Sequence, residues 1–490
     1  MASRSAGRRA QKGDAEPGLL RALALTLASA LVWGVAHLVT GRRIVGSILL
    51  GAFVLLGAAA AVLGLFFRPR LMELAVQPAW LSGVAGGILA LGLVWVTVVI
   101  RSYQLARPGS LSLGASTAGA VAVTVLCFAV AVPVSWGAYN TYVARDTLTS
   151  IFQAGGGNGR AVNTKDPWNG QSRVNVLLLG GDAAANRQGV RTDSMTLASI
   201  DTKTGETVLL SLPRNLENVP MPAGPSRDRF PYGFTGDGAG TPGLLNEVYQ
   251  YAEDHPDVVP GARKNQRGPE LLKATISGIL QQPVDYYILV DMFGFADIVD
   301  AMGGVRIKIT EPIPYGQRGE VLQPGDRVLK GKEALWYGRS RTLSSDYARM
   351  GRQKCLLNAI ARQADPQTVL TKFDRLAAAT KRAISTDIPQ ELLPAFVSLS
   401  TKVKDGSRID SLQFVPPLIH TGNPDYALIR RLTTRALAGD RAGSSASPSA
   451  SPSASSTKTR PATEAGGASP SPSPSRTDTK PVSLDDTCPK

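Results

Sequence analysis

The stretch VNVLLLGGDAAANRQGVRTDSMTLASIDTKTGETVLLSLPR, residues 174–214, determines the fold that we expect for this chain. It contains short apolar runs rich in Val and Leu, and turn-forming Gly, Asp or Pro residues lie at their ends. Runs of this length and composition are typical of buried β-strands. The stretch therefore predicts three consecutive strands: residues 174–182, a second strand that ends near Asp201, and residues 207–214.

Two carboxylates and two arginines lie at the ends of these predicted strands: Asp182, Asp193, Arg191 and Arg214. The loop between the first two strands would bring both aspartates to the same edge of the sheet. Mg²⁺ is commonly held by one or two carboxylates and completes its shell with water and substrate phosphates. Arginine binds phosphate oxygens in a bidentate geometry. The alternative is a set of solvated salt bridges at the strand ends, and the spacing alone leaves both interpretations open.

A series of motifs, in this order along the chain, resembles the LytR-CpsA-Psr family of cell-wall glycopolymer transferases. They are GGD (180–182), RTDSM (191–195), SLPRN (211–215), LNEVY (245–249), VDMFGF (290–295), VDAMGGV (299–305), LWYGRSR (335–341) and DYARMGRQ (346–353). The resemblance covers roughly residues 173–439. RTD alone would carry no information, whereas the whole series is specific.

The resemblance implies an α/β domain with a mixed central sheet sandwiched between helices and an apolar pocket for a lipid tail. Members of the family transfer an anionic glycopolymer from a polyprenyl-pyrophosphate carrier to a peptidoglycan hydroxyl outside the membrane. The resemblance further implies that Asp182 and Asp193 hold Mg²⁺ on the pyrophosphate. The expected substrate-binding side chains are Arg191, Arg214, Arg339, Arg341, Arg349 and Gln353. Among the site residues, Arg191, Asp193 and Arg214 are expected to be catalytic.

Two residues depart from the family pattern. Asn215 stands where the family usually has Asp, and Gly181 replaces a common Ser before Asp182. Neither change removes a proposed metal or phosphate ligand, so we expect an active Mg²⁺-dependent phosphotransferase. The alternatives are a catalytically weak polyprenyl-phosphate-binding or regulatory protein and a lipid-pyrophosphate pyrophosphatase. No general base can be named, but phosphoryl transfer requires mainly positioning and charge neutralisation.

The composition divides the chain into zones. The chain has 490 residues, of which 43% are apolar, and a formal net charge of +15, but both features are unevenly distributed. We expect a basic cytoplasmic N-terminus (1–16), a membrane region (17–140), a helix and Gly-rich linker (141–172), the catalytic domain (173–438) and a disordered Ser/Pro/Ala-rich tail (439–490). Such a tail cannot bury a core and should be dispensable. No DNA- or RNA-binding motif accompanies the positive charge, so nucleic acid is not an expected partner.

Cysteine and histidine are scarce. The three cysteines, Cys127, Cys355 and Cys488, have no ligand spacing and lie in three different zones. We therefore expect neither a structural disulfide framework nor a zinc site. Three histidines in the whole chain provide little material for a histidine-based metal site or an acid–base triad.

Four apolar stretches precede the predicted domain, at residues 19–39, 44–67, 80–100 and 115–139. A span needs roughly 20 apolar residues, and loops rich in Lys and Arg remain cytoplasmic. Arg101 and Arg107 place the third loop inside, so the catalytic domain should be extracytoplasmic. If the basic N-terminus is also inside, the first stretch cannot span. We favour a multi-pass anchor in the cell membrane with three spans and a re-entrant first stretch over one with four.

Downstream patterns predict further elements. Helices are expected at 270–281, 292–302 and 347–364, and strands at 285–291, 305–310 and 412–417. Arg349 and Gln353 share one face of the last helix because they lie four residues apart. Arg339 and Arg341 should point the same way from an extended segment. The long loop at 215–246 is expected to shape the acceptor side of a cleft.

Overall fold

A computed structural model describes residues 15–109, 111–152, 163–182, 190–238, 243–316, 319–341, 345–363, 373–404, 408–442, 481–483 and 488. The chain divides into two compact units. The first comprises Met1–Thr164 with Pro389–Ser398, and the second comprises Lys165–Ile388 with Leu399–Lys490.

The first unit is dominated by apolar helices. The helices of its described N-terminal part are α1 (Ala15–Leu31), α2 (Val35–Val39), α3 (Arg43–Phe66), the short and more polar α4 (Arg68–Ala75), α5 (Pro78–Ala106) and α6 (Leu113–Ile151). Three of them, α3, α5 and α6, are long and apolar enough to cross a membrane, whereas the first apolar stretch is divided between α1 and α2. The division occurs at Gly34, whose φ of 93° is in the left-handed region, and a side chain there would clash with the backbone of Gly46. Three helices therefore have the length and composition of membrane spans, and the re-entrant first stretch stays a prediction.

The second unit is built on a seven-stranded sheet in the order β11-β10-β3-β2-β1-β4-β9. Its strands are β1 (Arg173–Asp182), β2 (Arg191–Asp201), β3 (Thr207–Leu212), β4 (Tyr286–Asp291), β9 (Ile384–Thr386), β10 (Ile409–Gln413) and β11 (Val482–Ser483). β1 pairs with β4 and β3 with β10 in parallel, while the other neighbours are antiparallel. The predicted mixed central sheet is confirmed.

Successive side chains of a strand point to opposite faces of the sheet. Apolar side chains lie on both faces here, and helices cover both. Leu177 and Leu179 of β1 belong to the large core, while Leu178 between them faces the opposite side. The helices of the second unit are α7 (Pro225–Arg229), α8 (Val248–Asp254), α9 (Arg267–Leu280), α10 (Met292–Met302), α11 (Gly331–Arg339), α12 (Asp346–Gln363), α13 (Phe373–Ala383) and α15 (Tyr426–Ala442); α14 (Leu393–Lys404) begins in the first unit. The large core joins the sheet to α8, α9 and α15, whereas α10, α12 and α13 lie on the other face.

A second, smaller core lies beside the main sheet. It contains two short antiparallel pairs, β5 (Val305–Ile309) with β8 (Gly325–Leu329) and β6 (Ile313–Tyr315) with β7 (Glu320–Leu322). Apolar side chains of these strands pack with side chains from α10, α11 and α12. This small core fixes where α11 ends and where α12 passes, and both helices supply arginines to the site.

The expectation that no structural disulfide would form is wrong. Cys488 is bonded to Cys355 of α12 across 133 residues of sequence, with Cα atoms 5.4 Å apart. Val482 and Ser483 also add β11 to the free edge of β10. The expectation of disorder is therefore wrong for these tail residues, while residues 443–480 lie outside the described part. Sequence spacing could not identify the cysteine pair because only the fold brings the two residues together.

Two local predictions also need correction. Arg339 is the last residue of helix α11 rather than part of an extended segment. The long segment after Arg214 contains α7 and ends in a 3-10 turn, Leu245–Glu247, which leads directly into α8. Helix termini are difficult to place from sequence because a single short turn carries too little periodicity.

Candidate functional site

A bulge between β1 and β2 positions the central carboxylate. Gly180 pairs with Ser194 and Gly181 pairs with Thr192, so Asp193 is the additional residue on β2. β-bulges bend a strand locally and redirect a side chain, and they are common beside active sites. The bulge explains how a residue within a regular ladder can direct its carboxylate into a cavity.

Gly181 allows the strands to approach closely beside this bulge. A Cβ atom at this position would lie 2.9 Å from Cγ1 of Val190 and 3.1 Å from Cδ1 of Leu289. Both distances are shorter than an ordinary van der Waals contact. The replacement of a common Ser by Gly at this position therefore matches the packing of this chain.

The predicted arginines converge on one cavity of about 200 Å³. Its lining consists of Arg191 and Asp193 from β2, Arg214 after β3, Met292 at the start of α10, Arg339 and Arg341 at and after the end of α11, and Arg349 from α12. The cavity brings together side chains from distant parts of the chain. With five arginines around one described carboxylate, it is strongly positive.

Asp193 organises the inner wall of this cavity. Nη1 of Arg214 donates to its Oδ1 at 2.5 Å, and the side chains of Arg214 and Asp193 are 22% and 15% exposed. Nη2 of Arg349 donates to the backbone oxygen of Asp193 at 3.1 Å, and Arg349 is only 3% exposed. Buried guanidinium groups held by hydrogen bonds are already oriented before a ligand binds. The inner wall therefore presents two guanidinium groups whose orientations Asp193 fixes.

The outer arginines are held less tightly. Nη2 of Arg191 lies 3.7 Å from Oε1 of Glu247, and the Arg191 side chain is 50% exposed. The guanidinium carbon of Arg339 lies 5.6 Å from the ring centroid of Trp336, within the range of a cation–π contact. Arg341 lines the cavity as an exposed residue. Arg191 and Arg341 are therefore more exposed than Arg349.

A second, narrower cavity of about 30 Å³ adjoins the first and shares Asp193, Arg214 and Arg349 with it. Its volume is close to that of one water molecule. Much of its lining is apolar and consists of Leu178, Met195, Leu209, Leu212, Met350 and Leu357. The two cavities together place an apolar surface directly beside a cluster of positive charges.

Gln353 lies on the second cavity and not on the first. Its Nε2 donates to the backbone oxygen of Gly338 at 3.0 Å, which ties α12 to the end of α11. The structure therefore separates Gln353 from the five arginines, although it shares a helix face with Arg349. A direct contact between Gln353 and phosphate stays a prediction.

Sequence reasoning missed three residues at this site. Met292 lines the main cavity, and Lys354 lines the second one. Arg352 donates from Nε to the Tyr337 backbone oxygen at 2.9 Å and from Nη2 to that of Ser340, next to Arg341. Burial lowers the pKa of Lys354 and, against a smaller opposing effect of Tyr337, that of Arg352. Arg352 and Lys354 flank Gln353 in sequence, and that proximity was the available signal.

Few carboxylates of the described residues are available near the cavity to hold the predicted Mg²⁺. The described residues contain no cluster of three or more His, Cys, Asp or Glu side chains that could hold a metal ion. Asp182 ends β1 with its Cα opposite that of Arg191, and its side chain lies outside the described residues. Mg²⁺ needs only one or two carboxylates when substrate phosphates complete its shell. Asp193 is the carboxylate that lines the cavity among the described residues, which meets the lower limit of this requirement, and the ion remains a prediction.

Comparison with known proteins adds independent information. Residues 142–428 match the LytR_cpsA_psr family. A Bacillus cereus protein named polyisoprenyl-teichoic acid--peptidoglycan teichoic acid transferase TagU is 26% identical over 257 residues, which are 52% of this chain and 74% of that protein. Among solved structures, a Streptococcus agalactiae protein has a TM-score of 0.41 at 20% identity and covers 54% of this chain and 86% of its own. Bacillus subtilis TagV has a TM-score of 0.39 at 23% identity, with coverages of 54% and 95%.

Proposed function

This chain belongs to the LytR_cpsA_psr family, and we propose that it is a phosphotransferase of cell-wall assembly. Its donor is an anionic glycopolymer on a polyprenyl-pyrophosphate carrier, and its acceptor is a hydroxyl group of peptidoglycan. The observation that carries the proposal is the cavity in which five arginines surround Asp193. The Bacillus cereus relative is named for a polyisoprenyl-linked teichoic acid donor and a peptidoglycan acceptor, and this name supports the same classes here.

The cavity suits the pyrophosphate of such a donor. Two linked phosphates carry several negative charges, and arginine forks bind their oxygens in pairs. Arg214 and Arg349 are already oriented by Asp193, so little reorganisation is needed when charge redistributes during transfer. Preorganised donors of this kind are a major source of catalysis in phosphoryl transfer.

The second cavity suits the apolar part of the donor. Its leucines and methionines adjoin the arginine cavity through shared Asp193, Arg214 and Arg349. An amphiphile with a pyrophosphate head and a polyprenyl chain requires this juxtaposition of charged and apolar surface.

In the proposed reaction, the acceptor hydroxyl oxygen bonds to the phosphorus that carries the polymer. The bond from that phosphorus to the bridging oxygen breaks, and polyprenyl phosphate leaves with the bridging oxygen. The hydroxyl proton passes to water. Arg191, Arg214, Arg339, Arg341 and Arg349 hold the phosphate oxygens and neutralise the charge on the leaving group.

We assign Asp182 and Asp193 as the ligands of a Mg²⁺ bound on the pyrophosphate. The ion would supply further charge neutralisation on the phosphate oxygens. Asp193 already lines the cavity, and the bulge directs it there. Its ion pair with Arg214 neutralises the carboxylate when no donor is present.

We also place the enzyme in the cell membrane, with its catalytic unit outside. Helices α3, α5 and α6 have the length and apolar character of membrane spans. Arg101 lies near the end of α5, and Arg107 directly follows that helix in the connection to α6; basic loops remain cytoplasmic. The acceptor lies outside the membrane, so this orientation brings enzyme and substrate into the same compartment.

The test is product analysis with the full-length protein, a lipid-linked donor and peptidoglycan. We expect polymer covalently linked to peptidoglycan. Free phosphorylated polymer would instead identify a pyrophosphatase, and binding without turnover would identify a binding or regulatory protein. Either result would overturn the proposal.

Variants of the arginine cavity sharpen this test. Arg214→Ala or Arg341→Ala should lower the transfer rate by about 100- to 1000-fold, as expected for loss of one preorganised electrostatic contact. The matched control is Arg435→Ala on α15, an exposed arginine away from the cavity residues in sequence, which should retain normal transfer. The helical period places Arg362 on the far side of its helix from Arg349. Its side chain lies outside the described residues, so it is a less suitable control than Arg435.

A further inference from the structure

The 3-10 turn Leu245–Glu247 and helix α8 form hydrogen bonds with the backbone just after β3 and just before β2, the strand that carries Asp193. The backbone N–H of Asn246 donates to the backbone oxygen of Arg214 at 3.0 Å. The backbone N–H of Val190 donates to Oε1 of Gln250 at 2.7 Å. This short segment is therefore bonded to the backbone just after β3 and just before β2. Arg214 makes the first of these bonds, and Arg191 directly follows Val190, which makes the second.

Glu247 extends this contact to a side chain of the cavity. Its Oε1 lies 3.7 Å from Nη2 of Arg191, and its side chain is only 11% exposed. Its Oε2 accepts from the backbone N–H of Leu244 at 3.4 Å. The carboxylate is therefore fixed by its own turn, and it presents a negative charge to an arginine that is half exposed.

Arg191 is held less firmly than Arg214 and Arg349. Arg214 is held by the Asp193 carboxylate and Arg349 by the Asp193 backbone, whereas Arg191 opens its strand with a 50% exposed side chain. Immobilising a long exposed side chain costs conformational entropy. A fixed carboxylate beside it restricts the guanidinium before the substrate arrives, which lowers the entropic cost of binding.

We propose that Glu247 and Gln250 are positioning residues for Arg191, with Glu247 orienting its guanidinium and Gln250 holding the start of β2. The proposal rests on the proposed function, since it gives these residues a role in donor recognition. The ion pair is long, at 3.7 Å, and its arginine is half exposed, so it contributes little to folding and the effect should appear in substrate handling and not in stability. Capping of the 3-10 turn alone would not require a negative charge.

Glu247→Gln is the decisive variant because it keeps the shape and the oxygen acceptor but removes the charge. We expect its kcat/KM for transfer to fall about tenfold, mainly through a higher KM for the donor, with an unchanged unfolding temperature. Combined with Arg191→Ala, it should cause no further loss, since the two residues act as one unit. Gln250→Leu removes the acceptor for Val190 and should also raise KM, which keeps the proposal testable if Glu247→Gln does not fold.

The matched control is Glu333→Gln. Glu333 accepts from the backbone N–H of Lys330 at 2.9 Å at the start of α11. It has the same capping role as Glu247 but lies at the opposite end of its helix from Arg339, so transfer should be unchanged. Wild-type KM in Glu247→Gln, or an equal loss in the Arg191→Ala background, would overturn the positioning role. If the wild type binds the lipid-linked donor without transferring it, the proposed function fails. Weaker donor binding by Glu247→Gln would then still support positioning, and equal binding would refute it.

Discussion

At the scale of single residues, the site depends on how Asp193 leaves the β-ladder. The bulge opposite Gly180 and Gly181 frees Asp193 from pairing, and its carboxylate then holds Arg214 at 2.5 Å. The residue therefore has two roles in our proposal: it orients an arginine, and it helps to hold Mg²⁺. The two roles can be separated by experiment.

If Asp182 and Asp193 share one Mg²⁺, alanine at either position should reduce transfer by about 100- to 1000-fold. The double variant should be no worse than the poorer single variant, because a metal that is already lost cannot be lost again. The measurement is the transfer rate as a function of Mg²⁺ concentration. Near-normal transfer by folded Asp193→Ala would exclude the metal-assisted mechanism.

The close packing at Gly181 leads to a second residue-scale prediction. In Gly181→Ser, the new Cβ would lie 2.9 Å from Val190 Cγ1. Overpacking of this kind typically destabilises the folded state by about 1–3 kcal/mol. We expect a lower unfolding temperature and slower transfer, since the bulge that directs Asp193 must shift. Gly278→Ser in α9 is the control, because no atom outside its local helix lies within 4 Å of the added Cβ. Equal unfolding temperatures for both variants would contradict this account.

At the scale of elements, helix α12 connects the site to the end of the chain. Arg349 reaches the cavity from its first turns, and Arg352 and Gln353 tie it to the end of α11. Cys355 then joins it to Cys488, and β11 lies on the edge strand β10. The final residues of the chain therefore help to determine where an arginine of the site lies.

Removing the disulfide should weaken both the fold and the site. Closing a loop of 133 residues stabilises the folded state by on the order of 5 kcal/mol in the chain-entropy account, and measured values are often smaller. Cys488→Ser, or treatment with a reductant, should lower the unfolding temperature and slow transfer because α12 loses an attachment. Cys127→Ser changes a cysteine outside the disulfide and should have neither effect. An unchanged unfolding temperature under reducing conditions would show that the bond is dispensable.

At the scale of the whole molecule, the membrane helices determine which compartment the catalytic unit enters. A reporter active only in the cytoplasm should be silent when fused after residue 157 and active when fused after residue 108, between α5 and α6. Both expectations follow from the basic residues Arg101 and Arg107. Strong cytoplasmic activity at residue 157 would reverse the orientation and remove the enzyme from its proposed acceptor.

The sequence by itself determined the family, the mixed sheet between helices and three membrane-length helices, and these predictions are confirmed. Each depends on local information: the alternation of apolar residues, the length of apolar runs and the order of short motifs. Residues of the arginine cavity were also named from motifs, because phosphate recognition requires particular side chains at particular places. Their catalytic and ligand roles stay predictions.

Only the tertiary structure decided the features that depend on distant contacts. These are the bulge at Asp193, the separation of Gln353 from the arginine cavity, the support of Arg191 by Glu247, and the pairing of Cys355 with Cys488. Each depends on where residues that are distant in the sequence lie in the fold, and the sequence spacing does not indicate which of them come into contact. A strand register or a cysteine pair is selected by the packing of the whole core, so no local pattern can specify it.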